Sequence, residues 1–185
     1  QMTLQNNSSQ AQLMLFELKT REEKPDKILA SIEEKFPEDE RPIGIEGKLA
    51  TLFFKLKKFD KAENCYKRLL KHNPESASSY NGLSRVYLAQ KKYEEAANAA
   101  LDSIGLNYYH PIAHYNLGEA LVKLEDYKNA VNAFEVCLKI IPNFGRARNH
   151  LINIYGKKLN NPDAAAKHKE YFERKNVIGT EEEEV

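Results

Sequence analysis

The side chains best suited to catalysis or metal binding are few in this sequence. His110 and His114 are four residues apart, a spacing at which two imidazoles on one helical face bind a metal ion. However, Pro111 fits the first turn of a helix and leaves His110 ahead of it, and the pair has neither an HExxH motif nor an acidic third ligand. Cys65 and Cys137 match no metal or redox spacing, and no glycine-rich phosphate loop or GxSxG elbow is present. We therefore predict that the protein is not an enzyme and binds no metal and no cofactor.

Amide and basic side chains form a second set, which is suited to binding. An asparagine amide both donates and accepts, so it can pair with the backbone of an extended peptide, and an arginine can hold a carboxylate through two parallel hydrogen bonds. Such residues recur in four stretches, and we predict that these bind a ligand: Lys48, Asn81, Arg85, Asn116, Arg146, Asn149 and His150. Glu119 is the single acid at the outward positions predicted for those stretches. Because positive charge dominates there, we expect an anionic ligand.

The elements that position these side chains follow from an internal repeat of 34 residues. At this step one column contains only leucine and another only alanine: Leu49, Leu83, Leu117 and Leu151, and Ala62, Ala96, Ala130 and Ala164. Four copies keep this register across residues 43–178 with no insertion. A period of this length predicts stacked supersecondary units.

Each copy contains two helical patterns. In the third copy, apolar residues recur at steps of three and four over residues 113–124 and again over 127–141. Small residues on the first helix, with Ile152 the exception, and alanines on the second allow the two axes to approach closely: Ala50, Ser84 and Gly118. One such hairpin cannot cover its own apolar face, so the pattern predicts that successive hairpins stack into a solenoid.

These positions resemble the tetratricopeptide-repeat (TPR) motif, a 34-residue repeat with large, small and aromatic positions and a proline near its end. The matching residues are Leu117-Gly118, Leu121, Tyr127, Ala130, Phe134 and Pro142 in the third copy and Phe59, Ala62, Tyr66 and Pro74 in the first. The resemblance covers about three-quarters of the chain. It implies an all-α protein, a right-handed α-solenoid of TPR helix-turn-helix repeats (an α-α superhelix).

Two departures from the motif concern local packing. The usual tryptophan position holds Glu46, Tyr80, His114 and Arg148 in the four copies. The fourth copy replaces the turn aromatic by Asn161-Pro162-Asp163, which predicts that Asn161 is an N-cap and Pro162 the first helical residue.

The repeat register divides the chain into seven segments. We predict a disordered N-terminus, a degenerate helical capping pair, four repeats of which the last is also the C-terminal cap, and a disordered acidic tail, over residues 1–9, 10–42, 43–76, 77–110, 111–144, 145–176 and 177–185.

The resemblance also implies a function. In TPR stacks the first helix of each pair lines the concave side, so we predict a protein–protein interaction scaffold that binds a peptide or partner protein, an acidic one, in a concave basic groove. Some members hold the acidic C-termini of chaperones with lysines, asparagines and an arginine. Here Asn116 alone falls on such a position with the matching residue, and Arg146 preserves the charge. Asn81, Arg85 and His150 depart from that pattern, so we do not predict chaperone binding.

Two alternatives stay open at this level. Residues 105–118 resemble repeats that accompany alkaline-phosphatase-superfamily hydrolase domains, and the chain begins Gln1-Met2, so it could be the accessory region of a larger bacterial chain. The acidic tail could occupy the groove of a neighbouring molecule, and solenoid ends can stack, so weak self-association is a further prediction.

Charge and hydropathy exclude some partners and locations. The net charge is +1, and the basic residues do not alternate with aromatics in a stripe, so we predict no nucleic-acid partner. No apolar stretch approaches the roughly 20 residues that a membrane span needs, so we predict no membrane insertion. The two cysteines read as buried free thiols, which favours a cytoplasmic location, with a periplasmic or secreted one left open.

Overall fold

The protein is a stack of helical hairpins. The computed structural model describes residues 41–181, with side chains to residue 171, and before them Lys27, Leu29, Ala30, Ile32 and Glu33. Within residues 41–181 the chain forms eight helices and no strand: α1 (Ile43–Lys55), α2 (Phe59–His72), α3 (Ala77–Ala89), α4 (Tyr93–Leu106), α5 (Pro111–Lys123), α6 (Tyr127–Ile140), α7 (Gly145–Lys157) and α8 (Pro162–Glu181). The all-α solenoid predicted from the repeat is confirmed.

Each helix packs on the next one along the chain, so α1–α2, α3–α4, α5–α6 and α7–α8 form hairpins that stack in order. In addition, α1 contacts α3 and α3 contacts α5, which brings successive first helices together directly. The second helices of the described hairpins do not contact one another to the same extent. The stack is therefore tighter on the side of the first helices, which makes that side the inner one.

The turns inside the first three hairpins repeat one backbone conformation. Lys57, Lys91 and Glu125 occupy the left-handed region, with φ of 58°, 63° and 62°, and lie 34 residues apart. In the fourth hairpin the left-handed residue is Asn160, with φ of 47°, one position later than the register requires. The turn of the fourth copy thus contains one extra residue.

Because of this extra residue, the observed register of the fourth copy differs by one residue from the predicted register. The Asn161 side chain accepts a hydrogen bond from the Ala164 N–H at 3.1 Å, and Pro162 opens α8, as the sequence predicts. Because cap and proline set the start of α8 one residue late, Ala165 is buried and Ala164 only half-buried. The prediction of four copies without insertion, with Ala164 in the alanine column, was wrong for this copy.

Small residues mark the close approach of paired helices. Ala62, Ala96 and Ala130 are fully buried. A Cβ atom added at Gly118 of α5 would lie 2.6 Å from the Phe134 ring of α6, which is closer than van der Waals contact allows. The third hairpin therefore packs a whole aromatic ring against a bare helix backbone.

Buried polar groups occupy the column that holds tryptophan in the motif. The Glu46 carboxylate forms an ion pair with Arg68, whose Nη1 atom lies 2.7 Å from Glu46 Oε1. The angles of this contact are not those of a hydrogen bond. The His114 Nε2 atom lies 2.8 Å from the Tyr108 carbonyl oxygen, and Arg148 donates to the Pro142 carbonyl at 2.8 Å. Each of these groups has an internal partner, as a buried charge or imidazole requires.

The ends of the stack lie at the limits of the described residues. Leu29 and Ile32, from the predicted capping pair at 10–42, are helical and join the core formed with α1. Apart from Lys27, Ala30 and Glu33, the other residues of that pair before residue 41 lie outside the described residues, as do the predicted N-terminus at 1–9 and residues 182–185 of the predicted tail. Helix α8 continues to Glu181, five residues beyond the predicted boundary at 176.

We predict that Gly118→Ala destabilises the protein by about 1–3 kcal/mol, because the new methyl group must displace the Phe134 ring. Gly105→Ala is the matched control, since no atom lies within 4 Å of its added Cβ and it lies in α4, where alanine is favoured by up to about 1 kcal/mol. Urea unfolding followed by circular dichroism measures both. Equal effects of the two substitutions would contradict the packing described above.

Candidate functional site

Two adjoining cavities open between α5 and α7 on the inner side of the stack. One has a volume of about 240 Å³ and is lined by Tyr115, Arg146, Asn149, His150 and Asn153. The second, of about 480 Å³, shares His150 and Asn153 with the first and continues toward the ends of both helices, where its lining includes Lys123, Glu125, Tyr127, Lys157 and Lys158. We call this continuous surface the α5–α7 groove.

Aromatic packing holds the floor of the groove. The His150 imidazole stacks on the Phe134 ring, with centroids 4.7 Å apart and planes 7° apart. Tyr115 packs edge-on against both His150 and Phe144. Because Phe134 is itself locked against Gly118, the close packing of the α5–α6 hairpin fixes the imidazole in place.

Positive charge predominates in the groove, with two acids beside it: Glu125 lines the groove, and Glu119 contacts His150. The Glu119 carboxylate lies 3.6 Å from His150 Nε2. Burial works to raise the pKa of Glu119, but the His150 and Tyr115 side chains outweigh it and hold the pKa below its usual value. Burial, followed by the nearby Glu119 charge, raises the pKa of Tyr115, so this phenol stays a neutral donor. Glu119 is thus an anion already partnered within the groove.

Arg146 is the exposed cation that lines the smaller cavity of the groove. It lies in the first turn of α7, and among residues 41–171 no carboxylate is within ion-pair distance of its guanidinium. Asn149, also exposed, lines the same cavity. At the other end of the groove, Lys158 holds its ammonium 5.2 Å from the centre of the Tyr127 ring. An arginine and an amide at one cavity, followed by a row of lysines, can together hold carboxylates spaced along an extended chain.

The structure separates the seven residues that the sequence selected. Arg146, Asn149 and His150 line one cavity. Asn116 is only 2% exposed, and its Nδ2 atom donates to the Asn81 side-chain oxygen at 2.9 Å and to the Asn81 carbonyl at 3.4 Å. These two amides are therefore engaged with each other, where they join α5 to α3.

The two remaining residues lie on earlier hairpins. The Arg85 guanidinium lies 4.3 Å from the centre of the Phe54 ring of α1, and its Nε atom is buried without a hydrogen bond. Lys48 is half-buried on α1 and does not line the α5–α7 groove. A ligand-binding role for any of the seven stays a prediction.

Sequence reasoning did not select Tyr115, Asn153 or Lys158, which line the groove. For Tyr115 and Asn153 the signal was available, since both occupy outward positions of the repeat register. Lys158 follows α7 as its C-cap, so the displaced turn of the fourth copy puts it outside that pattern.

The groups considered for catalysis have structural partners. His110 caps α5 through Nδ1, which accepts from the Ala113 N–H at 3.4 Å, and His114 bonds to the Tyr108 carbonyl. Both cysteines are buried and free, and burial raises the pKa of the Cys137 thiol to about 11. In the part of the chain that the structure describes, no three His, Cys, Asp or Glu side chains are grouped to hold a metal ion. None of the helices described combines the length and apolar character of a membrane span.

Comparison with known proteins gives consistent matches. Two family models, each described as a tetratricopeptide repeat, match residues 48–107 and 111–144, together about half of the chain. RNA polymerase II-associated protein 3 of Xenopus tropicalis is 28% identical over 139 residues, which are 75% of this chain and 21% of that protein. The peroxisomal targeting signal receptor of Candida albicans is 32% identical over 82 residues, which are 44% of this chain and 14% of that protein. The chain thus spans about a fifth or less of the length of these relatives.

Solved structures share the fold. A crystal structure of MamA superimposes with a TM-score of 0.79 at 21% identity, covering 89% of this chain and 96% of that one. The first TPR of Spaghetti (RPAP3), bound to the HSP90 peptide SRMEEVD, superimposes with a TM-score of 0.60 at 24% identity, covering 62% of this chain and 90% of that one. At these identities the likeness shows the solenoid architecture.

We predict that Asn116→Asp destabilises the protein by about 1–3 kcal/mol, because a buried carboxylate would replace the amide donor and face the two Asn81 oxygens. Asn149→Asp, the same change at an exposed position of the groove, should shift stability by no more than about 0.5 kcal/mol. Thermal unfolding of both variants at neutral pH is the measurement. A stable Asn116→Asp protein would show that the amide pair does not join α3 to α5.

Proposed function

The chain belongs to the tetratricopeptide-repeat family of protein-interaction scaffolds, and we propose that it binds an acidic peptide segment of a partner protein in the α5–α7 groove. The observation that carries this proposal is that two exposed side chains, the Arg146 guanidinium and the Asn149 amide, line the same cavity of the inner face. Arginine offers parallel donors to a carboxylate, and the amide can pair with the adjacent peptide bond.

The rest of the groove supports an anionic rather than a cationic ligand. Lys123, Lys157 and Lys158 line it beyond the arginine, against Glu125 and the internally partnered Glu119. A concave surface with this excess of positive charge attracts anions and raises their association rate. Glu119 opposes such a ligand, so its neutralisation should strengthen binding.

The relatives support the ligand class and leave the particular ligand open. The first TPR of Spaghetti (RPAP3) binds SRMEEVD, a peptide with acidic residues. In the present chain, Asn116 matches the chaperone-binding pattern in type, but its amide is engaged by Asn81. We therefore propose recognition of acidic side chains along a peptide, without a preference for chaperone C-termini.

The remaining predictions from the sequence have different degrees of support. A binding role rather than catalysis agrees with two observations: His110 and His114 are each hydrogen-bonded to the backbone, and both thiols are buried. Free buried thiols also favour a reducing, cytoplasmic compartment. The relatives described above give no support to a hydrolase neighbour, and self-association through the acidic tail involves residues outside those described.

We predict that Arg146→Glu weakens binding of an acidic peptide by about tenfold, the loss expected when one charge-assisted hydrogen-bonded contact is removed. A fluorescein-labelled SRMEEVD peptide is a suitable probe, and fluorescence anisotropy measures its dissociation constant. Lys169→Glu is the matched control, since it makes the same charge change at an exposed position of α8 away from the groove.

Two comparisons decide the outcome. The probe with glutamines in place of its glutamates should bind more weakly than the acidic probe, and Glu119→Gln should bind the acidic probe more tightly than the unmodified protein. If Arg146→Glu and Lys169→Glu weaken binding equally, or if both probes bind alike, the α5–α7 groove is not an acidic-peptide site.

A further inference from the structure

A second groove lies on the other side of the stack, between α4 and α6. Its volume is about 440 Å³, and its lining is mostly apolar. Leu101 and Ile104 of α4 form one wall, Ala133 and Val136 of α6 form the other, and Leu117 and Leu121 of α5 form the floor. We call this surface the α4–α6 groove.

The apolar character of the α4–α6 groove is not a requirement of the repeat. Leu101 is 52% exposed, and the equivalent positions in the other copies hold Lys67, Glu135 and, once the extra turn residue of the fourth copy is counted, Glu170. The position of Val136 likewise holds Arg68 and Asp102 in the first two copies. Charged residues are thus compatible with the fold at both positions, yet both walls of this groove carry an aliphatic side chain there.

Two exposed apolar side chains belong to this surface. Leu101 of the α4 wall is among the five large apolar side chains that are exposed in the described part of the chain. Tyr108, 55% exposed, also lines the groove. A contiguous exposed apolar patch on a monomer is typical of a surface that binds a partner.

The wall formed by α4 is acidic. Residues 93–122 contain no lysine or arginine, while Glu94, Glu95 and Asp102 are exposed on α4. Glu94 precedes Leu101 by seven residues, two helical turns, so the two side chains lie along the same side of the helix. The groove therefore combines an apolar lining with an acidic border along α4, whereas the α6 side carries the exposed Lys128 and Lys139.

We propose that the α4–α6 groove is a docking site for an amphipathic helix of a partner protein, with aliphatic residues on one face and lysines or arginines beside them. The floor residues extend from His114 to Leu121, roughly 10 Å of helix, which accommodates about two turns of a partner helix. Walls and floor are all helical faces, and their rows of side chains receive the rows of another helix. The basic residues of the partner lie against the acidic wall of α4.

The test uses two labelled helical peptides of about 18 residues, a length at which helices form in water with suitable composition. Both carry leucines on one face, and the flanking residues are lysines in one peptide and glutamates in the other. We expect the unmodified protein to bind the lysine peptide at least about tenfold more tightly than the glutamate peptide by fluorescence anisotropy. Similar affinities for both peptides would overturn the proposal.

A matched pair of variants locates the binding surface. Leu101→Gln removes an aliphatic side chain from the wall and should weaken binding of the lysine peptide by about tenfold. Leu106→Gln makes the same change on the same helix, at an exposed position outside the groove lining. The affinity of this variant for the lysine peptide should stay within about twofold of that of the unmodified protein. Since both leucines are substantially exposed, both variants should fold, which circular dichroism verifies.

Three results would contradict the proposal at this stage. Equal affinities of the Leu101→Gln and Leu106→Gln proteins would show that the peptide binds elsewhere. A change from dimer to monomer on Leu101→Gln in sedimentation velocity would show that a second copy of the chain occupies the groove. Binding of the lysine peptide that persists in the presence of SRMEEVD supports two independent surfaces, whereas mutual displacement would overturn the assignment to the α4–α6 groove.

Discussion

The close approach of the two helices within each hairpin is the contact on which the rest of the structure depends. It requires residues without bulk, which Ala62, Ala96 and Ala130 supply as fully buried methyl groups and Gly118 supplies as bare backbone under the Phe134 ring. A hairpin closed in this way still has apolar side chains on its outside, and the next hairpin covers them. The solenoid therefore follows from a local packing requirement that recurs along the chain.

This architecture leaves two kinds of surface for recognition. On the inner side, first helices meet, and the groove between α5 and α7 has an aromatic floor that ends in the His150 imidazole and a basic border. On the other side, α4 and α6 remain apart over α5, and the groove between them is apolar with an acidic border along α4. Because one hairpin scaffold holds both surfaces, the residues that differ between copies, rather than the shared packing residues, decide what each surface binds.

The asparagines show how the same residue type serves two purposes in one repeat. Asn116 and Asn149 both lie on first helices, and the sequence selected both for ligand binding. In the structure Asn116 is buried and donates to Asn81 across two hairpins, whereas Asn149 is exposed beside Arg146. The two amides lie one position apart in the 34-residue register, and Asn81 of the preceding hairpin engages the Asn116 amide.

The sequence by itself determined the hairpins, their order and the solenoid class, because helical spacing and a 34-residue period are properties of neighbouring residues along the chain. It also predicted the Asn161 cap and the start of α8 at Pro162, since cap and proline act locally. Only the tertiary structure decided the effect of the extra turn residue, which buries Ala165 in place of Ala164. It alone also placed Arg146, Asn149 and His150 at one cavity and opened the groove beside Leu101. These outcomes depend on which side chains of different helices meet, and that is set by packing between hairpins.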